Sequence, residues 1–430
     1  MALLKNYQLL KKRLWLFILI IGAPILLSCL IQINSLPAIL RLSPGQNFTV
    51  SAYFPLNFIT IDKHLENLFP VQSKRLLGKN IILNSRNNQE FDIQIRLFGV
   101  IPIKKLHVEI IKPPLVIPGG QAIGVLFSSK GVVIVGDLPL KGVDGRTYYP
   151  AREAGIKIGD VLLAINNFPV NRVEEVEFHL KNYRLEEKYL TLTIKRKNKF
   201  LLLKIKPVFT SSGGEKRFML GLYIEDPAAG VGTLTFYDPK SNRFAGLGHR
   251  ISEFAGRTKI PFQQGEIVMA KISGIKQGIP GQPGEKIGIF NSNADPIGKI
   301  EKNCRFGIYG TLYQGIGIKA QPIPTAYGSE VKIGPAQIYT VINGSKIEHF
   351  KVEIIRVYRQ DKPRDKGMII KVVDPSLLKL TGGIIQGMSG SPIIQNGKFV
   401  GAVTHVLVND PTKGYGVLAE WMINEINKTG

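Results

Sequence analysis

The chain has 430 residues, enough for two or three domains that each bury a core, and 44% apolar against 20% charged residues excludes a disordered chain. Lys and Arg total 56 against 32 Asp and Glu, a net charge of +24, yet no zinc finger, basic tract or aromatic ladder accompanies it. The charge therefore points to an anionic membrane surface and away from nucleic acid. Cys29 and Cys304 are the only cysteines, which excludes a disulfide framework and a cysteine-rich zinc site. Forty-five glycines and 26 prolines favour a turn-rich, mainly β protein.

Residues 1–13 form a basic tail with Lys5, Lys11, Lys12 and Arg13. Leu14 to Ile33 then runs without a charge, long enough for a bilayer core of about 30 Å. The basic flank predicts a cytoplasmic N-terminus, a transmembrane anchor over 14–33 and everything beyond it outside the cytoplasm. A cleaved signal peptide is the competing reading, but no A-x-A site follows the run. Residues 34–105 alternate apolar and polar positions, as in Phe91-Asp92-Ile93-Gln94-Ile95, and read as a β-rich spacer without chemistry.

Residues 106–210 carry a more specific pattern. Ala151-Arg152-Glu153-Ala154-Gly155-Ile156-Lys157-Ile158-Gly159-Asp160-Val161-Leu162-Leu163-Ala164-Ile165-Asn166 resembles the corresponding stretch of a PDZ domain. The resemblance implies a peptide-binding loop with exposed amides at Ile123, Gly124 and Val125, and a groove-lining helix over Val173–Tyr183. A polar break near Thr210–Lys216 closes this unit. Residues 218–430 follow as short strands and turns, with an amphipathic helix only at Trp421–Ile426, which predicts an all-β double barrel or sandwich.

The chemistry gathers in this last domain. Gly387-Met388-Ser389-Gly390-Ser391-Pro392 suits a nucleophilic Ser389 on a tight turn, with the N–H groups of Gly387 and Ser389 as an oxyanion hole. A serine needs a base, and His249, in Gly246-Leu247-Gly248-His249, is preferred over His405 on the strand after Ser389. Asp374, ending an apolar run before Pro375, is the carboxylate expected to orient the imidazole, with Asp295 and Asp410 as competitors. Neither a cofactor nor a metal is required.

Gly232-Thr233-Leu234-Thr235-Phe236-Tyr237-Asp238-Pro239, Leu247-Gly248-His249, Asp374-Pro375 and Thr381 through Gly397 together resemble the stage IV sporulation protein B (SpoIVB) peptidase family, as does the stretch to Met422. The resemblance implies a membrane-tethered serine endopeptidase with a PDZ domain, exported from the forespore to the intermembrane space. It further implies self-cleavage, cleavage of a membrane regulatory protein that restrains an intramembrane protease, and so sigma-factor maturation. The family's catalytic residues fall on His249, Asp374 and Ser389; Glu253 stands where the family usually has Asp. Alternative readings are a quality-control protease with PDZ sensing, which usually places PDZ after the protease, and a non-catalytic tethered scaffold.

Overall fold

The computed structural model describes residues 23–428 except 47, 54, 61–70, 76–77, 84–87, 128–130, 197–198, 213–214, 226–228, 252–264, 290–295 and 314–319. The basic tail and residues 14–22 of the expected anchor lie outside the described residues. The rest of that apolar run lies in the helix Ala23–Ser35. Among the described residues no helix is long and apolar enough to cross a membrane. Its Cys29 is 4% exposed and joins the core of the strands that follow.

Those strands make a sheet in the order Ile39–Leu42, Ile101–Ile110, Gln89–Leu97 and Leu56–Thr60. The period-2 pattern read at Phe91–Ile95 holds: Phe91, Ile93 and Ile95 are buried, and Asp92 and Gln94 are half-buried. The unit is fastened to the end of the chain by Arg41, which bonds Glu109 and Glu420 at 2.7 Å each. Beside it, the Ser43 N–H donates to Glu330 Oε1 at 2.9 Å.

The largest part of the chain consists of two six-stranded barrels. In the first, Ala229–Tyr237 pairs with Arg243–Gly246, and the ring continues through Gly307–Leu312, Gly298–Cys304, Gly265–Met269 and Ala122–Phe127 back to Ala229–Tyr237. In the second, Gly334–Val341, Ile347–Val357, Met368–Val372, Lys413–Leu418, Lys398–Val406 and Pro392–Gln395 close in that order. Alternation explains why these segments are strands. Phe350, Val352 and Ile354 point inward with Ile370, Ile393 and Val417, while Lys351 and Glu353 face outward. Each such inward aliphatic side chain contributes about 1.5–3 kcal/mol by burial.

The first barrel begins earlier than the expected boundary at residue 218, because Leu115–Pro118 and Ala122–Phe127 both pair with Ala229–Tyr237. Between these neighbouring strands the chain makes a long excursion. Its main sheet runs in the order Lys199–Ile205, Leu190–Arg196, Val161–Ile165, Val132–Asp137 and Leu222–Glu225, with a core that includes Ile134, Leu162, Val176 and Ile194. Entering and leaving through paired strands lets such a unit sit within a barrel without opening it.

Candidate active site

The nucleophile loop is built by a helix that stops and a hairpin that receives it. Helix Pro375–Thr381 ends at Gly382, whose φ of 71° is the left-handed termination that glycine adopts without a Cβ penalty. Ile384 and Ile385 then bury in the second barrel core. At Gln386 the chain docks on the hairpin Lys271–Lys276/Glu285–Ile289: Gln386 N–H donates to Gly284 O at 2.8 Å, and Lys286 N–H to Gln386 O at 3.0 Å. Gly387 follows at φ 87°, Met388 is fully buried, and Gly390 sits at φ 93°.

Carbonyls in this loop are held and two amides are not. Gln386 O takes the Lys286 N–H, Gly387 O takes the Thr233 hydroxyl at 2.8 Å, and Met388 O takes the Ser391 N–H at 2.9 Å. The Met388 N–H itself donates to Ile385 O at 3.1 Å. The N–H groups of Gly387 and Ser389 donate to nothing among the described residues. Unpaired amides on peptides whose carbonyls are fixed are preorganised donors, which is what a developing oxyanion requires.

The histidine reaches this loop from the other barrel. A Cβ on Gly390 would stand 2.5 Å from Leu247 N, so the nucleophile turn packs directly on the segment leading into His249. On the opposite side, a Cβ on Gly248 would stand 3.1 Å from Val403 O and 3.2 Å from the Thr404 side chain. Thr404 O in turn accepts the Ser389 hydroxyl at 2.7 Å. His249 and Ser389 thus flank one short piece of strand, with the Ser389 hydroxyl directed to Thr404.

His249 Nδ1 lies 2.9 Å from the carbonyl oxygen of Arg250. A carbonyl only accepts, so Nδ1 carries the proton and Nε2 keeps its lone pair, the tautomer a general base needs. Burial pushes the His249 pKa below its ordinary 6.5, partly opposed by that hydrogen bond. His405, the competing base, lies beside it with ring centroids 4.7 Å apart. Burial, then the neighbouring His249, push His405 downward as well. Both shifts favour the neutral ring.

Asp374 is placed differently from the expectation. It is the N-cap of helix Pro375–Thr381: Oδ1 accepts from the Ser376 N–H at 3.0 Å, the Ser376 hydroxyl at 2.5 Å and the Leu377 N–H at 3.4 Å. Oδ2 accepts from the Lys351 N–H at 3.1 Å. Burial alone would raise its pKa, but the bonds from Ser376, Lys351 and Leu377 hold it below the usual carboxylate range. An Asp before a Pro at the first helical position is also a helix-start signal, and here that role occupies the carboxylate. Asp410 is engaged with Thr412 and Lys413, and Asp295 lies outside the described residues. Among the described residues no carboxylate bonds to His249; the Arg250 carbonyl orients the ring.

The expected peptide-binding loop at Ile123, Gly124 and Val125 is corrected by the barrel. Ile123 and Val125 are 0% and 2% exposed, and their strand is paired on both sides, Gly124 facing Val231 on one and Val268 on the other. A strand paired along both edges has no amides to offer a ligand. A similar sequence pattern lies about a hundred residues on, at Leu220-Gly221-Leu222. There the same apolar-Gly-apolar pattern, with Gly221 at φ 65°, opens Leu222–Glu225, the end strand of the inserted sheet.

Two six-stranded β-barrels, with a serine on a loop of the second that packs against the histidine-bearing segment of the first, have the arrangement of the double-barrel class of serine hydrolase. Within that class, residues 216–423 match the family model described as SpoIVB peptidase S55, and the domain they form belongs to that family of serine peptidases. No curated protein matches the chain. Solved structures it is similar to include the Rv3671c protease of M. tuberculosis in its active form. That match has 14% identity over 47% of this chain and 74% of the other, with a TM-score of 0.30. The inactive form of the same protease aligns at 15% identity over 46% of this chain and 84% of the other, with a TM-score of 0.28.

Proposed function

We propose that the chain is a membrane-tethered endopeptidase in which Ser389 attacks the scissile carbonyl, His249 takes its proton, and the Gly387 and Ser389 amides hold the oxyanion. The carrying observation is the pair of unpaired amides on a loop whose carbonyls are all fastened. In the reaction the Ser389 hydroxyl leaves Thr404 O and turns to His249 Nε2. The imidazole then returns the proton to the leaving amine, and water repeats the sequence on the acyl-enzyme. The family resemblance supports the biological assignment: export into the forespore intermembrane space, self-cleavage near the N-terminus, and cleavage of a membrane regulatory protein to trigger sigma-factor maturation.

The inserted unit supports the PDZ reading, with its groove relocated. Among the described residues Leu222–Glu225 pairs with Val132–Asp137 on one edge only, and the helix Val173–Lys181 belongs to the same core. A peptide adding to the other edge would meet the amides that follow Gly221.

Ser389→Ala tests the peptidase. Self-cleavage should stop while the purified variant keeps the wild-type circular dichroism spectrum and melting temperature. Unchanged processing in that variant removes Ser389 from the mechanism.

A further inference from the structure

Lys286 is 2% exposed, in the hairpin strand Glu285–Ile289 beneath the nucleophile loop. Its ammonium donates to the Thr340 hydroxyl at 2.6 Å, and Thr340 is itself 0% exposed. Among the described residues no carboxylate lies within ion-pair distance of it. A cation buried with one neutral partner is costly, because desolvation penalises the charged form. Burial alone moves its pKa from 10.5 down to about 7. If space-filling were its role, a methionine would fill the same volume without that cost.

The contacts of Lys286 converge on one peptide. Its N–H holds Gln386 O, the carbonyl of the Gln386–Gly387 peptide, whose own N–H is one of the two unpaired donors. Its stem lies across the next residue: a Cβ on Gly387 would stand 3.1 Å from Lys286 Cβ, 3.2 Å from Cγ and 3.1 Å from Cδ. The ammonium continues two bonds beyond that stem, in an interior where a charge is screened far less than in water.

We infer that Lys286 is a positioning residue for the oxyanion hole. Its main chain and stem set the Gln386–Gly387 peptide, and its buried amine, in the protonated form, makes the surroundings of that peptide favour developing negative charge. The inference rests on Ser389 being the nucleophile and adds to that reading a cation that never touches substrate. Such an effect operates on the transition state and leaves ground-state binding alone.

The test is Lys286→Met in the full chain, which keeps stem length and removes charge. A fluorophosphonate probe reports through its maximal inactivation rate and its half-saturating concentration, with melting temperature measured alongside. The rate should fall at least about tenfold, half-saturation should stay within about twofold, and melting should be unchanged or higher, since a desolvated charge has gone. A wild-type rate overturns the inference. So does a lower melting temperature, because Lys286 would then be supporting the fold. Ser389→Ala run in parallel keeps the two readings apart: labelling that survives there removes the nucleophile, whereas its loss beside an unimpaired Lys286→Met removes only the lysine.

Discussion

Asp374 and the nucleophile loop were both read as catalytic, and the structure treats them in opposite ways. At Asp374 both carboxylate oxygens are occupied by Ser376, Leu377 and Lys351, so the group is spent on starting a helix. At residues 386–389 the carbonyls are occupied and two donors are left over. Folding saturates polar groups wherever it can. A saturated charge is therefore weak evidence for chemistry, and a rigidly held unsaturated donor is strong evidence for it.

The largest effect should come from His249→Ala, which leaves the Ser389 hydroxyl without a base. Peptide hydrolysis should fall by roughly 10⁴-fold or more, comparable with loss of the serine itself. His405→Ala, measured in the same assay, sharpens the choice of base: it should cost far less, and the reverse order would exchange the roles of the two rings.

Thr233→Val comes next. It removes the hydroxyl that holds Gly387 O while keeping the volume of a buried side chain. The peptide that joins the two donor peptides would then be loosened, and kcat should drop about 10- to 100-fold with KM little changed. An undiminished kcat would show that the amides are aligned without it.

A smaller effect is expected in the pH profile. His249 must be neutral to act as base, and burial holds its pKa below 6.5. The acid limb of kcat/KM should accordingly lie below 6.5, with activity full at neutral pH and lost as pH falls through the depressed value. A limb above 6.5 would mean the ring is stabilised as a cation, as by a carboxylate partner.

The smallest catalytic effect separates the two roles of Asp374. Asp374→Ala should lower stability by about 1 kcal/mol, as loss of an N-cap does, and leave kcat within about twofold. Asn caps nearly as well as Asp, so Asp374→Asn should be close to silent in both measurements. If Asp374 does orient His249, the Asn variant loses several orders of magnitude in kcat while still melting normally.

Much of this was legible in short-range pattern. Alternation predicted a β-rich chain, Gly387 through Pro392 a tight turn with amides able to point into one space, and the Gly-x-Gly-His stretch an exposed imidazole, which the fold instead half-buries beside His405. What escaped was long-range pairing. Ile123-Gly124-Val125 and Leu220-Gly221-Leu222 share one local pattern, yet the first lies in a ring closed by strands from residues 229 and 265 onward, and the second opens the edge strand of a sheet. No local property of either tripeptide distinguishes them, because the distinction is made by which strands arrive alongside. The same holds for Asp374, whose competing partner, the Lys351 amide, comes from the adjoining part of the second barrel.

The placement of the inserted unit has a mechanical consequence. Its return path becomes the strand Ala229–Tyr237, and a few residues along that strand stands Thr233, the side chain that steadies Gly387. A load carried by that strand would reach the residue that fastens the Gly387 carbonyl, and so the loop expected to polarise the scissile bond.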